Sequence, residues 1–482
     1  MRDKPFAAAQ VAAPTTPADR TQTAPDADQP GGASTRPWRL NPAEAPILLS
    51  PRAVLSSLFS FEALVVLYML AGNYKADPRF AWIPVDPTAL FFALSVLVGG
   101  FLIVQKGIPK KGLPIVFAMV CLIAWWGISL LWSPSRIYGP NKVFLMATLT
   151  LWALIAGALI IAPSPQRVRR LFTLLLLFAI VMGIDAVLVY AASGGGFYRR
   201  ETVSGDVESY HLLLGRICGP GALIALVGWL YSRGRAAGRL CLALLLGLGF
   251  VLVIGGGRGP LLSTVLPLLI PIALSIRLPA RSILVSRTLL WVLVLLLAMP
   301  VGLALYSTAT EQRLGTIDRL ERLVTEGNPR TALYAETIGI WQRAPLLGQG
   351  AGSWPMLAGY GDQRNYPHNL FLEVVAENGL VGLILFLALL WVALMPVSLE
   401  RLRRDPQALC AMLLFANALL NAMTTGDLPG NRTVFMMLGL LAMTAIRPVG
   451  AGAPAAAPRQ PDAPSDLPMS RGRHAAATER VR

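Results

Sequence analysis

Apolar residues in this chain come in long blocks rather than stripes, separated by short polar connectors rich in arginine. A helix needs about 20 mostly apolar residues to cross the hydrocarbon core of a bilayer. Blocks that qualify lie at 53–72, 88–105, 113–132, 143–162, 170–192, 212–231, 240–256, 260–276, 285–307, 368–396, 407–424 and 432–446. They predict an all-α, polytopic membrane protein with about twelve transmembrane helices.

The connectors orient those helices. Alternate ones carry Lys106, Lys110 and Lys111; Arg167, Arg169 and Arg170; Arg233, Arg235 and Arg239; Arg277, Arg281 and Arg287; and Arg401, Arg403 and Arg404, with only Glu400 and Asp405 as anions. Cytoplasmic loops carry such an excess of cations, so both termini are expected in the cytoplasm. The chain then divides into a disordered cytoplasmic tail over 1–52, helices one to nine over 53–307, a large outer loop over 308–367, helices ten to twelve over 368–446, and a second disordered tail over 447–482. Both tails are rich in Ala and Pro, with too little apolar surface to offset chain entropy. Residues 1–46 contain no apolar core of a signal peptide. Within the outer loop, Glu311 to Val324 and Pro329 to Arg343 read as two helices lying at the membrane surface, the second with Leu333, Ile340 and Trp341 among polar residues.

Composition agrees. Of 482 residues, 55% are hydrophobic and 14% charged, against about 25% charged in a soluble domain. The net charge of +16 sits in the alternating connectors, which argues against nucleic acid as its partner. Cys121, Cys218, Cys241 and Cys410 lie inside apolar runs without metal-ligand spacing and read as small core residues.

Candidate chemistry lies on the outer face. Lys142, Arg199, Arg200, Arg216, Arg258, Arg319, Arg322 and Arg330 sit in outer loops or near helix ends. Each either snorkels to lipid head groups or binds an anionic ligand, and Arg216, early in a span, is costly enough there to suggest function. Gly255-Gly256-Gly257-Arg258-Gly259-Pro260 is a tight turn in which glycines allow close backbone approach and Arg258 offers a fork suited to phosphate oxygens. His368, one of three histidines, stands where the polar loop meets an apolar helix, with Asn369 beside it. The positive end of a helix favours a neutral imidazole able to accept a proton. Glu373 and Glu377, in the first turns of that run, either orient the base or meet an arginine from another loop. His211 is a second candidate, and His474 falls in the tail.

Arg330, Trp341, Pro345-Leu-Leu-Gly348-Gln-Gly350 and His368-Asn369-x-x-Leu372, followed by Glu377-x-Gly379-Leu-x-Gly382, resemble the signature of the O-antigen ligase/polymerase superfamily. Gly257-Arg258-Gly259 resembles its second motif, with Gly257 where Ser is common. The resemblance implies a membrane glycosyltransferase fold of the GT-C-like type in the bacterial inner membrane, with a periplasmic active site. It implies undecaprenyl-pyrophosphate-linked O-antigen as donor, lipid A–core as acceptor, and inverting transfer without metal or other cofactor. His368, Arg258 and Arg330 would then be catalytic; Arg216, Arg200, Arg319, Arg322 and Lys142, with Arg258, would bind the donor pyrophosphate. Asn369, Glu373, Glu377, Trp341 and His211 would support them. Ligation is favoured over polymerisation or transfer to protein by the single long outer loop late in the chain. A transporter of the same glycan lipid would need charged residues along a mid-membrane path, where Asp185 is the convincing acidic example.

Overall fold

In the computed structural model, the described residues are 46–74, 82, 84–192, 200–201, 207–208, 210–232, 235–255, 257–275, 294, 305 and 330–447. The predicted span at 285–307, the surface helix at 311–324 and both tails lie outside them, apart from isolated positions and the ends of the tails.

The described fold is helical except for a two-residue antiparallel ladder pairing Arg200 with Glu208 and Glu201 with Val207. In chain order the main helices are α1 (Pro51–Leu58), α2 (Phe61–Leu70), α3 (Pro87–Lys106), α4 (Lys110–Ser129), α5 (Tyr138–Ile161), α6 (Pro165–Ala192), α7 (Tyr210–Tyr231), α8 (Arg235–Ile254), α9 (Gly259–Ser275), α10 (Arg330–Gln342), α11 (Leu370–Leu394), α12 (Pro406–Ala422) and α13 (Arg432–Ile446). Among the described residues, seven are long and apolar enough to cross a membrane, or up to eight if α1 and α2, bent by 64°, form one broken span. Helices α9 and α12 are shorter apolar helices. Among the described residues, helix therefore occupies each predicted span they cover, and seven or eight of these helices meet the length and composition of a crossing.

Helix ends follow local chemistry. Asp86 and Asp405 accept from the first free N–H groups of α3 and α12, and each is followed by proline, which lacks the N–H a first turn cannot use. Helix α5 widens into π-helical turns at Met146–Thr150 and Ala156–Ile161, and the Tyr68 hydroxyl donates to the Leu149 carbonyl in the first. A Cβ on Gly439 would lie 2.8 Å from the Leu154 carbonyl oxygen, so α13 and α5 cross with their backbones nearly touching.

Two ends of the bundle differ in chemistry. At one, Arg447 donates to Ala162 O (3.1 Å) and Gln407 Nε2 to Pro165 O (3.2 Å), while Arg403 Nε reaches Leu274 O (3.0 Å). Among the described residues, the connectors that carry Arg167 and Arg403 thus meet at this end of the bundle. The other end is built around an interruption in α11. Gly379 has φ +62° and ψ −160°, so the ladder of helical hydrogen bonds stops there. Residues 345–350 take up the broken bonds: Gln349 N–H donates to Ala376 O (3.0 Å) and Gly350 N–H to Glu377 O (2.7 Å). In return, Leu380 N–H donates to Pro345 O (3.0 Å) and Val381 N–H to Leu346 O (3.2 Å). Unmet backbone groups at this depth are costly, so the glycine-rich loop and the helix break require each other. Gly348 makes the contact possible, since a Cβ there would run into the backbone of Glu377 and Asn378.

Gly348→Ala and Gly379→Ala are each expected to destabilise the protein by about 2 kcal/mol or more, read as a lower thermal midpoint in detergent. Gly339→Ala in α10, where a Cβ meets nothing within 4 Å, is expected to be neutral or to stabilise by up to about 1 kcal/mol. Equal midpoints for all three would contradict the interrupted helix.

Candidate active site

A cavity of about 740 Å³ lies at the second end of the bundle. One part of its wall is apolar, with Val66, Met69, Leu149, Leu213 and Met437; another is polar, with Arg216, Arg364, His368, Asn417, Asp427 and Arg432. Residues distant in sequence meet here because three loops converge: the stretch before α11, the Thr424–Asn431 connection between α12 and α13, and the start of α9.

His368 does not open α11 as expected from sequence. Asn369 is the cap, its side-chain oxygen accepting from Phe371 N–H (3.0 Å) and Leu372 N–H (3.2 Å). His368 stands just outside with φ +58°, the one non-glycine residue with positive φ among those described. Strain of this kind persists where surrounding contacts enforce it. The Tyr366 ring meets the imidazole edge-on at 4.7 Å, and the Tyr334 hydroxyl donates to the His368 carbonyl (3.4 Å). His368 Nδ1 is buried with no hydrogen-bond partner among the described residues. Burial, then the charge of Arg330, push its pKa below the ordinary 6.5, against an opposing interaction with the Thr424 backbone. The ring is therefore held neutral.

The structure thus brings Arg330, at the start of α10, within electrostatic reach of His368. Arg216 donates to Thr425 Oγ1 (3.4 Å), and Gly426, at φ +82°, leaves room for its guanidinium, which lies 2.8 Å from where a Cβ would stand. The start of α9 packs on the same loop, with a Cβ on Gly259 3.0 Å from Thr424 Oγ1. That places the Arg258 backbone beside the site, while its side chain lies outside the described ones. The side chains of Arg200 and His211, and Arg199, Arg319 and Arg322 altogether, also lie outside. Trp341 closes α10 by donating from Nε1 to Pro345 O (3.1 Å), which anchors the glycine-rich loop.

Lys142 departs from expectation. It lies near the start of α5, but is 0% exposed, and its ammonium sits 2.5 Å from Glu373 Oε1 and 2.7 Å from Glu377 Oε2. Trp126 flanks it at 4.8 Å and Tyr138 at 5.4 Å. An ammonium shared by two carboxylates and shut away from the surface does not fit a role in holding the donor's pyrophosphate. Glu373 Oε1 also accepts from Leu428 N–H (3.1 Å), and Glu377 Oε2 from Gly352 N–H (2.8 Å). The acidic pair does meet a cation from another segment, though a lysine, and together they tie α5 and α11 to both neighbouring loops.

Several cavity residues escaped the sequence reading. Arg364 pairs with Asp427, and Arg432 donates to Tyr68 O (3.0 Å) and Met69 O (3.2 Å). Burial alone would raise the Asp427 carboxyl, but Arg364 and the hydrogen bonds around it hold it below the usual range. Arg364 had a sequence signal, a cation four residues before His368 in one polar stretch. Asp427 read as a lone acid. No group of three or more His, Cys, Asp or Glu side chains among the described residues could hold a metal ion.

Lys142→Met leaves two buried carboxylates uncompensated and is expected to cost roughly 3–5 kcal/mol. Adding Glu373→Gln and Glu377→Gln to it should recover much of that loss in thermal unfolding. A single Lys142→Met variant as stable as wild type would remove the cluster's structural role.

No curated protein matches the chain. A family model described as O-antigen ligase matches residues 240–387. The matched stretch runs from α8 through the Gly-Arg-Gly turn, α10, the glycine-rich loop and His368 to beyond the break in α11. That family implies a glycosyltransferase-like membrane enzyme of ligase or polymerase type. Over residues 240–387 the chain is similar to the O-antigen ligases, consistent with the O-antigen ligase/polymerase superfamily.

Proposed function

We propose that the protein transfers O-antigen polysaccharide from undecaprenyl pyrophosphate to lipid A–core at the periplasmic face of the inner membrane. The observation that carries this reading is the two-sided cavity, apolar along α2 and the inner turns of α5 and α7, and cationic where His368 stands. A polyprenyl chain with a pyrophosphate head divides its chemistry in the same way.

The reaction is one displacement. An acceptor hydroxyl oxygen attacks the anomeric carbon, the bond from that carbon to the pyrophosphate oxygen breaks, and undecaprenyl pyrophosphate leaves with the bonding electrons. The hydroxyl proton passes to His368, whose neutral ring is the competent form. Arg216, Arg258 and Arg330 stabilise the charge on the leaving group. Lys142, Glu373 and Glu377 hold the loops in place. Asn369 ends α11 so that His368 lies outside it.

The test is mass analysis of product from lipid-linked O-antigen offered with rough lipopolysaccharide. Glycan joined to lipid A–core supports ligation; lengthening on undecaprenyl pyrophosphate identifies a polymerase instead. His368→Ala is expected to lower transfer by roughly 10²–10⁴-fold in a protein that folds normally. Wild-type activity should fall as pH drops through the depressed histidine pKa, with a midpoint below 6.5, because protonation removes the base. Normal turnover by a folded His368→Ala variant would end the assignment of base.

Transfer is further expected to continue undiminished in excess EDTA, since arginines supply the positive charge that a divalent ion provides elsewhere. Loss of activity in chelator, restored by magnesium or manganese, would overturn metal-independent transfer.

A further inference from the structure

Arg364 is aimed by its surroundings. Its Nε donates to Asp427 Oδ2 (3.2 Å) and its NH2 to Asp427 Oδ1 (2.6 Å), a two-point arrangement that fixes the plane of the guanidinium. Asp427 is 1% exposed and is itself clamped, accepting from the Tyr138 hydroxyl (2.9 Å) and from Gly430 N–H (3.2 Å). A Cβ on Gly430 would stand 2.8 Å from Arg364 NH2, so glycine keeps the space the fork occupies. The Arg364 side chain remains 61% exposed and lines the cavity with Arg216 and His368. An exposed cation adds little stability through its ion pair. What this geometry achieves is direction: two donor groups are spent on Asp427, and the rest of the fork stays available to a ligand.

We propose that Arg364 binds a phosphate of the prenyl-pyrophosphate donor through the guanidinium edge that Asp427 leaves unused, with Asp427 as the positioning residue. The inference rests on the donor reading above and assigns to it a cation that neither the motifs nor the family match singles out. A planar fork matches two oxygens of a phosphate, which an ammonium cannot do. The negative charge of Asp427 does not oppose the anion, because it is buried and neutralised by Arg364. No covalent bond changes in this step.

Binding of glycan-free undecaprenyl pyrophosphate to the purified full-length protein in detergent tests this without turnover, with undecaprenol as the phosphate-free control. Wild type is expected to bind the pyrophosphate lipid more tightly than undecaprenol. Arg364→Lys should weaken the pyrophosphate lipid by about tenfold, the scale of one lost charge-assisted interaction, and leave undecaprenol unchanged. Asp427→Asn should give a similar loss, and the double variant should be no weaker than Arg364→Lys alone, because both act through one fork. In transfer assays, the donor KM should rise while the acceptor KM stays constant. Unchanged affinity in Arg364→Lys overturns the proposal, as does an equal loss for both lipids with a lower thermal midpoint. Binding that follows Arg364 in a protein unable to transfer glycan would sustain this inference and remove the proposed function. Failure of wild type to bind the pyrophosphate lipid would end both.

Discussion

The ammonium of Lys142, buried between Glu373 and Glu377, holds the cavity end of this protein in register. Three charges in an apolar interior are costly unless they are paired. Here one oxygen of each carboxylate carries both the ammonium and a backbone contact, while Glu373 Oε2 and Glu377 Oε1 are buried without a hydrogen-bond partner among the described residues. Glu373 reaches the N–H of Leu428 and Glu377 that of Gly352. One cluster therefore joins α5, α11, the glycine-rich loop and the Thr424–Asn431 connection, the segments on which the cavity's polar wall depends. Net charge in the cluster is −1 by count of its formal groups, one ammonium against two carboxylates. A polar contact to backbone N–H groups is the natural way to spread the excess.

The break in α11 is the second half of the same arrangement. Without Gly379 the helix would continue, and the loop carrying Gly348 and Gly350 would have no backbone groups to bind. With it, the first turns of α11 form a separate short helix whose carboxylates face Lys142. Indole N–H donors pin both sides of the junction, Trp132 Nε1 to Gly348 O in the loop (3.2 Å) and Trp125 Nε1 to Asn378 O beside the break in α11 (3.4 Å). The motif residues that most resemble a ligase signature thus act through backbone geometry. His368, in its left-handed conformation, stands apart from them at the mouth of the framework.

The cavity also explains why its cations are spread so widely in sequence. Arg216 comes from α7, Arg364 from the loop before α11 and Arg432 from α13. Each guanidinium is held by something different: a threonine hydroxyl for Arg216, a buried carboxylate for Arg364, and two carbonyls with the Tyr68 ring for Arg432. Arg432 is held by neutral carbonyls with carboxylates only at longer range, whereas Arg364 is paired directly with Asp427 and directed by it. The wall therefore combines general positive potential with one oriented fork.

Local signals were enough for much of this. Long apolar blocks can hide their backbone from lipid only as helices, so helical character and approximate limits were legible for α1 to α9 and α11 to α13. Arginine alternation predicted that the connectors at 162–169 and 398–406 share one end of the bundle, and there Gln407 Nε2 donates to Pro165 O. The polar-to-apolar step at His368 drew attention to a residue that lines the cavity, since a titratable group at such a boundary is hard to explain by packing. Tertiary structure decided the rest. Lys142 read as an outer cation because a sequence shows its neighbours along the chain and not the two carboxylates, 231 and 235 residues away, that bury it. Asp427 likewise finds its partners far along the chain, Arg364 and Tyr138 lying 63 and 289 residues off. Hydropathy reports the solvent each segment prefers. Which charge meets which, and hence which cation is free to hold a ligand, is settled only when the helices pack.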